Sequence, residues 1–189
     1  MHQRSREVLG YLDQTEAELR GAVDAVPAGL RNTQPGPDQW SVAQVLDHLT
    51  IAHNRVAAVV GKWISEAKSA GLGPETGESS VLNTIPTAAI VDRSRKVAAP
   101  AAIVPRADID ADSAWAELAQ ARDKLRAALM SGDGLALDQV IQPHPVLGPL
   151  NMYQWILFNG SHEARHTLQV REIGAALGGP KEKTAAHIS

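Results

Sequence analysis

Long stretches with helical hydrophobic periodicity alternate along the chain with stretches rich in proline and glycine. In the periodic stretches apolar residues recur every three or four positions, which places them on one face of an α-helix. We predict helices over residues 5–26, 41–70, 113–130 and 149–177. Gly178, Gly179 and Pro180 are expected to end the fourth helix, and a frayed tail is predicted after them.

The second predicted helix has the clearest start and the longest apolar stripe. Ser41 and Gln44 form a capping-box pattern, in which each side chain accepts a hydrogen bond from the backbone of the other residue. The stripe then alternates spacings of three and four residues, which is typical of a helix that packs along another helix. Its members are Val42, Val45, Leu49, Ala52, Val56, Val59 and Trp63.

Residues 71–110 lose every regular pattern and contain several prolines. We predict a long crossover connection here, with a single helical turn around Pro86. Connections of this length are usually functional, and this one is long enough to cover the mouth of a bundle. The whole pattern predicts an all-α protein, a four-helix bundle with a long crossover connection between helices 2 and 3. It is expected to form a single domain over residues 1–189.

Composition narrows the class of protein. The net charge is −3 with scattered Lys and Arg, which argues against a nucleic-acid partner. No apolar run approaches the roughly 20 residues that span a bilayer, and no signal peptide is expected, so we predict a cytoplasmic protein without a membrane partner. The chain has no cysteine, so a bound metal is held by His, Asp or Glu, and thiol chemistry needs an external thiol.

The inward stripe of the fourth predicted helix is apolar at its ends and polar in its middle. Asn159, His162, His166 and Gln169 take four successive core positions, where each unpaired polar group costs about 1–3 kcal/mol. His162 and His166 lie one turn apart on one face, a spacing that offers two imidazoles to one metal ion. Asn159 and Gln169 either support such a site or form hydrogen bonds between helices.

Glu163 completes the string His-Glu-x-x-His, which also occurs in zinc proteases. Such a protease needs a substrate-binding sheet, and no strand pattern predicts one. Glu163 and Asp47 each lie about 100° from a candidate ligand, and both are predicted to face solvent. Arg122 is expected to extend to solvent or to bind a substrate carboxylate. His144 is predicted to be an ordinary loop residue, and the tryptophans are predicted to be core residues.

The second predicted helix offers two candidates for a third ligand. His48 lies about 60° to one side of the apolar stripe, and His53 lies about 80° to the other side. The two are therefore about 140° apart and cannot face one centre. His48 is nearer to the stripe, and His53 is expected to point away from the site.

Two segments carry a pattern beyond periodicity: WSVAQVLDHL at residues 40–49, and PVLGPL at 145–150 followed by QW at 154–155 and HEARHTLQ at 162–169. They resemble the paired motifs of the DinB-like family, which includes YfiT-type proteins. The resemblance covers both motif helices and the order of all four helices. It implies a four-helix bundle and a divalent metal ion held by His48, His162 and His166.

The resemblance also implies an activity, because the DinB-like family includes S-transferases that use bacillithiol or mycothiol, and a mycothiol-dependent isomerase. On this basis the ion activates an external low-molecular-weight thiol toward a small-molecule substrate, as in detoxification. Zn²⁺ suits three histidines best, while Ni²⁺, Mn²⁺ and Fe²⁺ stay open. Two alternatives also stay open: a metal-dependent hydrolase that uses bound hydroxide, and a non-enzymatic metal-binding stress-response protein. A homodimer is compatible with the sequence.

Overall fold

The computed structural model describes residues 1–94 and 98–178. Its helical architecture confirms the all-α prediction, and the four predicted helices correspond to α1, α2, α4 and α5. Gly179, Pro180 and the predicted tail lie outside the described residues, and the single domain over 1–189 stays a prediction. The elements are α1 (Gln3–Asp24), α2 (Val42–Ser69), a short α3 (Thr87–Val91), α4 (Ala111–Met130), β1 (Ile141–His144), β2 (Gly148–Asn151) and α5 (Met152–Ala176).

The bundle is built from neighbouring pairs of long helices. Helix α2 packs along α4, α1 packs along α5, and α2 also contacts α5. Two apolar clusters fill the core, and a buried polar layer separates them. Each long helix contributes one residue to this layer: Thr15, His53, Arg122 and Glu163.

Helix α2 begins where its sequence predicts. The Ser41 hydroxyl accepts a hydrogen bond from Gln44 N at 3.2 Å, and Gln44 Oε1 accepts one from Ser41 N at 3.0 Å. The apolar stripe, however, leaves the core after Ala52, and the buried face continues through His53 instead. A strict repeat of 3.5 residues drifts around a straight helix with 3.6 residues per turn, so the last members of the stripe lie partly exposed.

A short β-hairpin precedes α5, although the sequence showed no strand pattern. Strands β1 and β2 are antiparallel, and Pro143 lies opposite Pro149 in their register. Four-residue strands that contain proline show no alternation, which is why the pattern missed them. Residue 149 was expected inside the fourth helix, but α5 begins at Met152 with Asn151 as its cap.

The hairpin also corrects the prediction for His144. This residue is buried, and its ring centroid lies 4.6 Å from Trp155 and 4.1 Å from Phe158. Its Nδ1 accepts hydrogen bonds from the backbone of Val146 and Leu147. His144 is therefore a structural residue of the hairpin rather than an ordinary loop residue.

The long crossover connection contacts both helices that carry the candidate ligands. Helix α3, the turn predicted around Pro86, packs on α5, and a 3-10 turn at Ala101–Ile103 contacts α2. The described part of the connection thus reaches α5 on one side and α2 on the other. No helix within the described ranges has an apolar stretch long enough to cross a bilayer.

Candidate metal centre

Helices α2 and α5 bring the three predicted histidines together. His162 Nε2 lies 3.3 Å from His48 Nε2 and 3.1 Å from His166 Nε2. His48 and His166 are 2% and 7% exposed, whereas His162 keeps an intermediate exposure. The cluster is therefore sheltered by the bundle, with its most accessible member at His162.

Two of the three rings are anchored through the nitrogen that faces away from the cluster. His48 Nδ1 is 2.7 Å from the carbonyl oxygen of Ile103, and His166 Nδ1 is 2.8 Å from Gln169 Oε1. These oxygens only accept hydrogen bonds, so each Nδ1 carries the proton and donates it. Gln169 thus takes the supporting role that was one of its two expected roles.

A neutral imidazole that is protonated on Nδ1 has a lone pair on Nε2. The Nε2 atoms of His48 and His166 therefore present lone pairs to the cluster, and His162 can donate a proton to only one of them. Two nitrogens bound to one zinc ion at about 2.0–2.1 Å, with angles of about 90–110°, lie about 2.8–3.4 Å apart. The observed separations of 3.1 and 3.3 Å fall within this range, so the donor set could hold a divalent ion.

The surroundings keep these three imidazoles neutral. Burial lowers the pKa of His48, and burial with the neighbouring histidines lowers the pKa of His162 to about 3. The same causes hold the pKa of His166 well below its usual value. Neutral imidazole is the form that binds metal, so the site is ready for an ion near neutral pH.

Aromatic rings cover parts of the cluster. The Trp40 ring centroid lies 4.9 Å from that of His48 and 6.4 Å from that of His166. Phe158 stacks on His162 at 6.2 Å. Trp40 packs against the apolar core, in line with its predicted role. It also covers the histidines, because it directly precedes the α2 cap and lies beside the first turns of that helix.

A second polar cluster, the ion cluster, consists of His53, Arg122 and Glu163. Arg122 donates from Nε to Glu163 Oε2 at 3.1 Å and from Nη2 to Oε1 at 2.9 Å. His53 Nε2 lies 3.1 Å from Glu163 Oε2, and its Nδ1 lies 2.9 Å from the carbonyl oxygen of Leu49. Both ring nitrogens of His53 therefore face oxygen acceptors, one on its own helix and one on α5.

The ion cluster corrects two predictions. Glu163 and Arg122 were expected to reach solvent, but they are only 2% and 4% exposed. The two hydrogen bonds of their bidentate pair replace the hydrogen bonds to water that each charged group loses on burial. Burial alone would raise the pKa of Glu163, but hydrogen bonding to His53 and the charges of His53 and Arg122 lower it to about 2. In a zinc protease the glutamate of His-Glu-x-x-His acts as the general base. Here Glu163 pairs with His53 and Arg122, so it is not free to take that role.

Asp47 was also expected to face solvent, and it is buried instead. Its carboxylate accepts hydrogen bonds from Arg106 N at 2.7 Å and from Arg106 Nη2 at 2.6 Å. This contact attaches the crossover connection to α2 directly beside His48. The rotation angle around α2 predicted an exposed Asp47 because it takes no account of the crossover connection, whose Arg106 covers this side of the helix.

Asn159 is nearly fully buried. Its Nδ2 has no hydrogen-bond partner among the described residues, so neither of its two expected roles is observed. Arg122 Nη1 likewise makes no hydrogen bond in the described ranges, although it lies 3.7 Å from Glu16 Oε1. Within the described part of the chain, these two atoms are the unsatisfied donors of the polar layer and its immediate neighbourhood.

Comparisons with known proteins identify the family of the chain. The family model of the DinB superfamily matches residues 11–170. The uncharacterized protein YuaE of Bacillus subtilis (strain 168) is 32% identical over 161 residues, which cover 85% of this chain and 90% of that protein. No solved structure matches the chain. The extent of the family match shows that the chain belongs to the DinB superfamily.

Proposed function

We propose that the protein is a metal-dependent enzyme in which His48, His162 and His166 hold one divalent ion that activates a small external thiol. One observation carries the metal site: the three Nε2 atoms converge, while Ile103 and Gln169 hold the Nδ1 protons of two rings on the outer side. A proton on His162 Nε2 pairs with only one of the two lone pairs that face it, whereas a bound cation would accept all three nitrogens together.

The donor set favours a catalytic over a structural site. Structural zinc sites are usually closed by four protein ligands, whereas three histidines leave a position open for an exogenous ligand. When bound, a divalent ion supplies a Lewis acid that lowers the pKa of a thiol or water molecule. Zn²⁺ suits this donor set best, and Ni²⁺, Mn²⁺ and Fe²⁺ are also compatible with three imidazoles.

The residues around the ligands orient them and limit the access of water. The Ile103 carbonyl and Gln169 fix the ring orientations of His48 and His166. The rings of Trp40 and Phe158 cover the histidines on two sides. A partly dehydrated site strengthens the electrostatic interactions made within it.

The thiol is supported by two observations. The chain contains no cysteine, so a thiol nucleophile comes from outside. The two histidine motifs resemble those of the DinB-like family, which includes S-transferases that use low-molecular-weight thiols. Under this proposal the substrate is a small electrophile, and a metal-dependent hydrolase is the competing activity to be tested.

Metal analysis of untagged protein tests the ligand set. We expect about one divalent ion per chain in the wild type and none in His162→Ala. His144→Ala is the matched control, because it removes another histidine near α5 but none of the three candidate ligands, so it should keep the ion. Full occupancy in a correctly folded His162→Ala variant would overturn the ligand assignment.

Activity assays then test the chemistry. A panel of low-molecular-weight thiols is offered with a generic electrophile, beside ester and amide substrates without thiol. Thiol-dependent turnover that disappears in His48→Ala supports the proposal. Hydrolysis without thiol, with the same dependence on His48, would replace it with the hydrolase. A metal-loaded protein that is inactive in both assays would favour the non-enzymatic alternative.

A further inference from the structure

The ion cluster joins the same two helices that carry the three histidines. On α5, Glu163 directly follows His162. On α2, His53 Nδ1 lies 2.9 Å from the carbonyl oxygen of Leu49, the residue that directly follows His48. The contact between His53 and Glu163, at 3.1 Å, therefore fixes the spacing of α2 and α5 within about one turn of the candidate ligands.

The cluster also restrains the rotation of α5 about its own axis. Arg122 holds the Glu163 carboxylate from α4 in a bidentate pair, which defines direction as well as distance. His53 holds the same carboxylate from α2. With Glu163 held from two helices, α5 has one rotation in which all these contacts form, and that rotation directs His162 and His166 toward His48.

A layer of charge in the core is a poor way to gain stability. Apolar residues of similar volume often stabilise a core at least as well as a buried ion pair, and the best-attested use of such groups is to fix one register among alternatives. Metal sites need such precision, because metal–ligand distances tolerate deviations of only about 0.2 Å.

We propose that His53, Arg122 and Glu163 are positioning residues for the histidine site: they hold α2 and α5 at the spacing and rotation that bring the three Nε2 atoms together. The inference rests on the proposed metal binding. It makes the glutamate of the His-Glu-x-x-His string a residue that acts through the helices rather than on a substrate.

Co²⁺ binding tests this inference, with the visible absorption of the bound ion as a report on ligand geometry. The main variant replaces the whole cluster with apolar residues, His53→Leu, Arg122→Met and Glu163→Leu, so that no charge stays buried without a partner. We expect this variant to fold, to bind Co²⁺ at least about tenfold more weakly, and to shift the absorption band.

The matched control removes another buried ion pair that does not join α2 to α5. Arg4 and Glu75 pair at 3.1 Å with side chains only 7% and 2% exposed. The variant Arg4→Met with Glu75→Gln should keep the Co²⁺ affinity within about twofold and leave the spectrum unchanged. If a general loss of stability weakens Co²⁺ binding, the affinity falls in both variants. If loss of positioning weakens it, the affinity falls only in the triple variant.

A conservative variant keeps the test decisive if the triple variant does not fold. Glu163→Gln retains the shape and one oxygen acceptor, so its Co²⁺ affinity should fall between those of the wild type and Glu163→Ala. The positioning inference is overturned if the folded triple variant keeps the wild-type affinity and spectrum. If the triple variant does not fold, the same result in Glu163→Gln overturns it. In both cases the proposed function is unaffected. A wild-type protein that binds no divalent ion would overturn the proposed function as well.

Discussion

His162 and Glu163 are consecutive residues of α5, and each belongs to a different polar cluster. In the ion cluster, donors meet an acceptor: Arg122 and His53 both face the Glu163 carboxylate. In the histidine cluster, two acceptors face His162, which can donate to only one of them, because Nδ1 holds the proton in the rings of His48 and His166. The balance of donors and acceptors distinguishes a cluster of paired opposite groups, in which Arg122 Nη1 alone has no hydrogen-bond partner among the described residues, from a cluster of facing lone pairs that could hold a metal ion.

The two histidines of α2 show the same contrast. His53 faces an acceptor with each ring nitrogen, the Leu49 carbonyl and the Glu163 carboxylate. His48 faces an acceptor only with Nδ1 and turns Nε2 toward two other imidazoles. Five positions apart on one helix, the same residue type therefore serves as a structural donor and as a candidate ligand.

The largest effect is expected from breaking the ion cluster on one side. Glu163→Ala leaves the buried Arg122 without the carboxylate that it pairs with at 2.9 Å, which should lower the free energy of unfolding by about 3–5 kcal/mol. Urea denaturation of metal-free protein measures this loss. The neighbouring variant His162→Ala should cost about 1 kcal/mol or less under the same conditions. Equal losses in the two variants would contradict the distinction between the clusters.

Acid should affect the two clusters in different pH windows. The folded state lowers the pKa of His162 from 6.5 to about 3, so the unfolded state binds more protons between these values. Stability therefore falls as the pH decreases from 6.5, by about 1.4 kcal/mol per pH unit for each such histidine. The contribution of Glu163 to the free energy of unfolding is fully present above its ordinary pKa of 4.5, and it is lost as the pH falls toward its folded-state pKa of about 2.

Variants of the metal-free protein separate these windows. His162→Asn should flatten the dependence of unfolding free energy on pH between about 6.5 and 4.5. Glu163→Gln should leave that part unchanged and flatten the part below about 4.5. Chemical denaturation over a pH series gives both slopes. Identical profiles for His162→Asn and the wild type would show that His162 is not held in the neutral form.

A smaller effect is expected from removing the acceptor that orients His166. Gln169→Leu keeps the side-chain volume but leaves Nδ1 without its partner at 2.8 Å. Outer hydrogen bonds of this type change metal affinity by about 10–100-fold, and competition with a chromophoric chelator measures the change. Unchanged affinity would mean that packing alone orients the ring.

The smallest effect is expected at Arg93, which contacts Gln169 rather than a candidate ligand. Arg93 Nη1 lies 3.4 Å from Gln169 Oε1, and Arg93 also pairs with the largely exposed Glu172. Exposed ion pairs contribute about 0–1 kcal/mol, so Arg93→Gln should change metal affinity by less than about threefold. A change as large as that of Gln169→Leu would make Arg93 part of the support for His166.

Local signals predicted the helices because periodicity and capping depend on residues a few positions apart. Ser41 with Gln44 marks the start of α2 without any tertiary information. The hairpin was missed because Pro143 and Pro149 pair only in three dimensions. The burial of His53 was missed because a 3.5-residue stripe was extended along a helix whose buried face follows 3.6 residues per turn.

The candidate ligands could be predicted because polar residues interrupt an apolar face at helical spacing. Among their supports, only Gln169 lies on the same stripe and could be predicted in this way. The partner of His48 is a backbone carbonyl, that of Ile103, which any residue type could supply. The burial of Glu163 depends on Arg122 and His53 from two other helices, and an angle measured on one helix cannot show such partners.

The Ile103 carbonyl that holds His48 has a consequence for the kinetics of folding. His48 and Ile103 are 55 positions apart, and His48 and His162 are 114 positions apart. Contacts between such distant segments form only after long loops have closed, late in folding. An ion that needs all three imidazoles is therefore expected to bind only after most of the chain has folded. It should slow unfolding and leave the rate of folding almost unchanged.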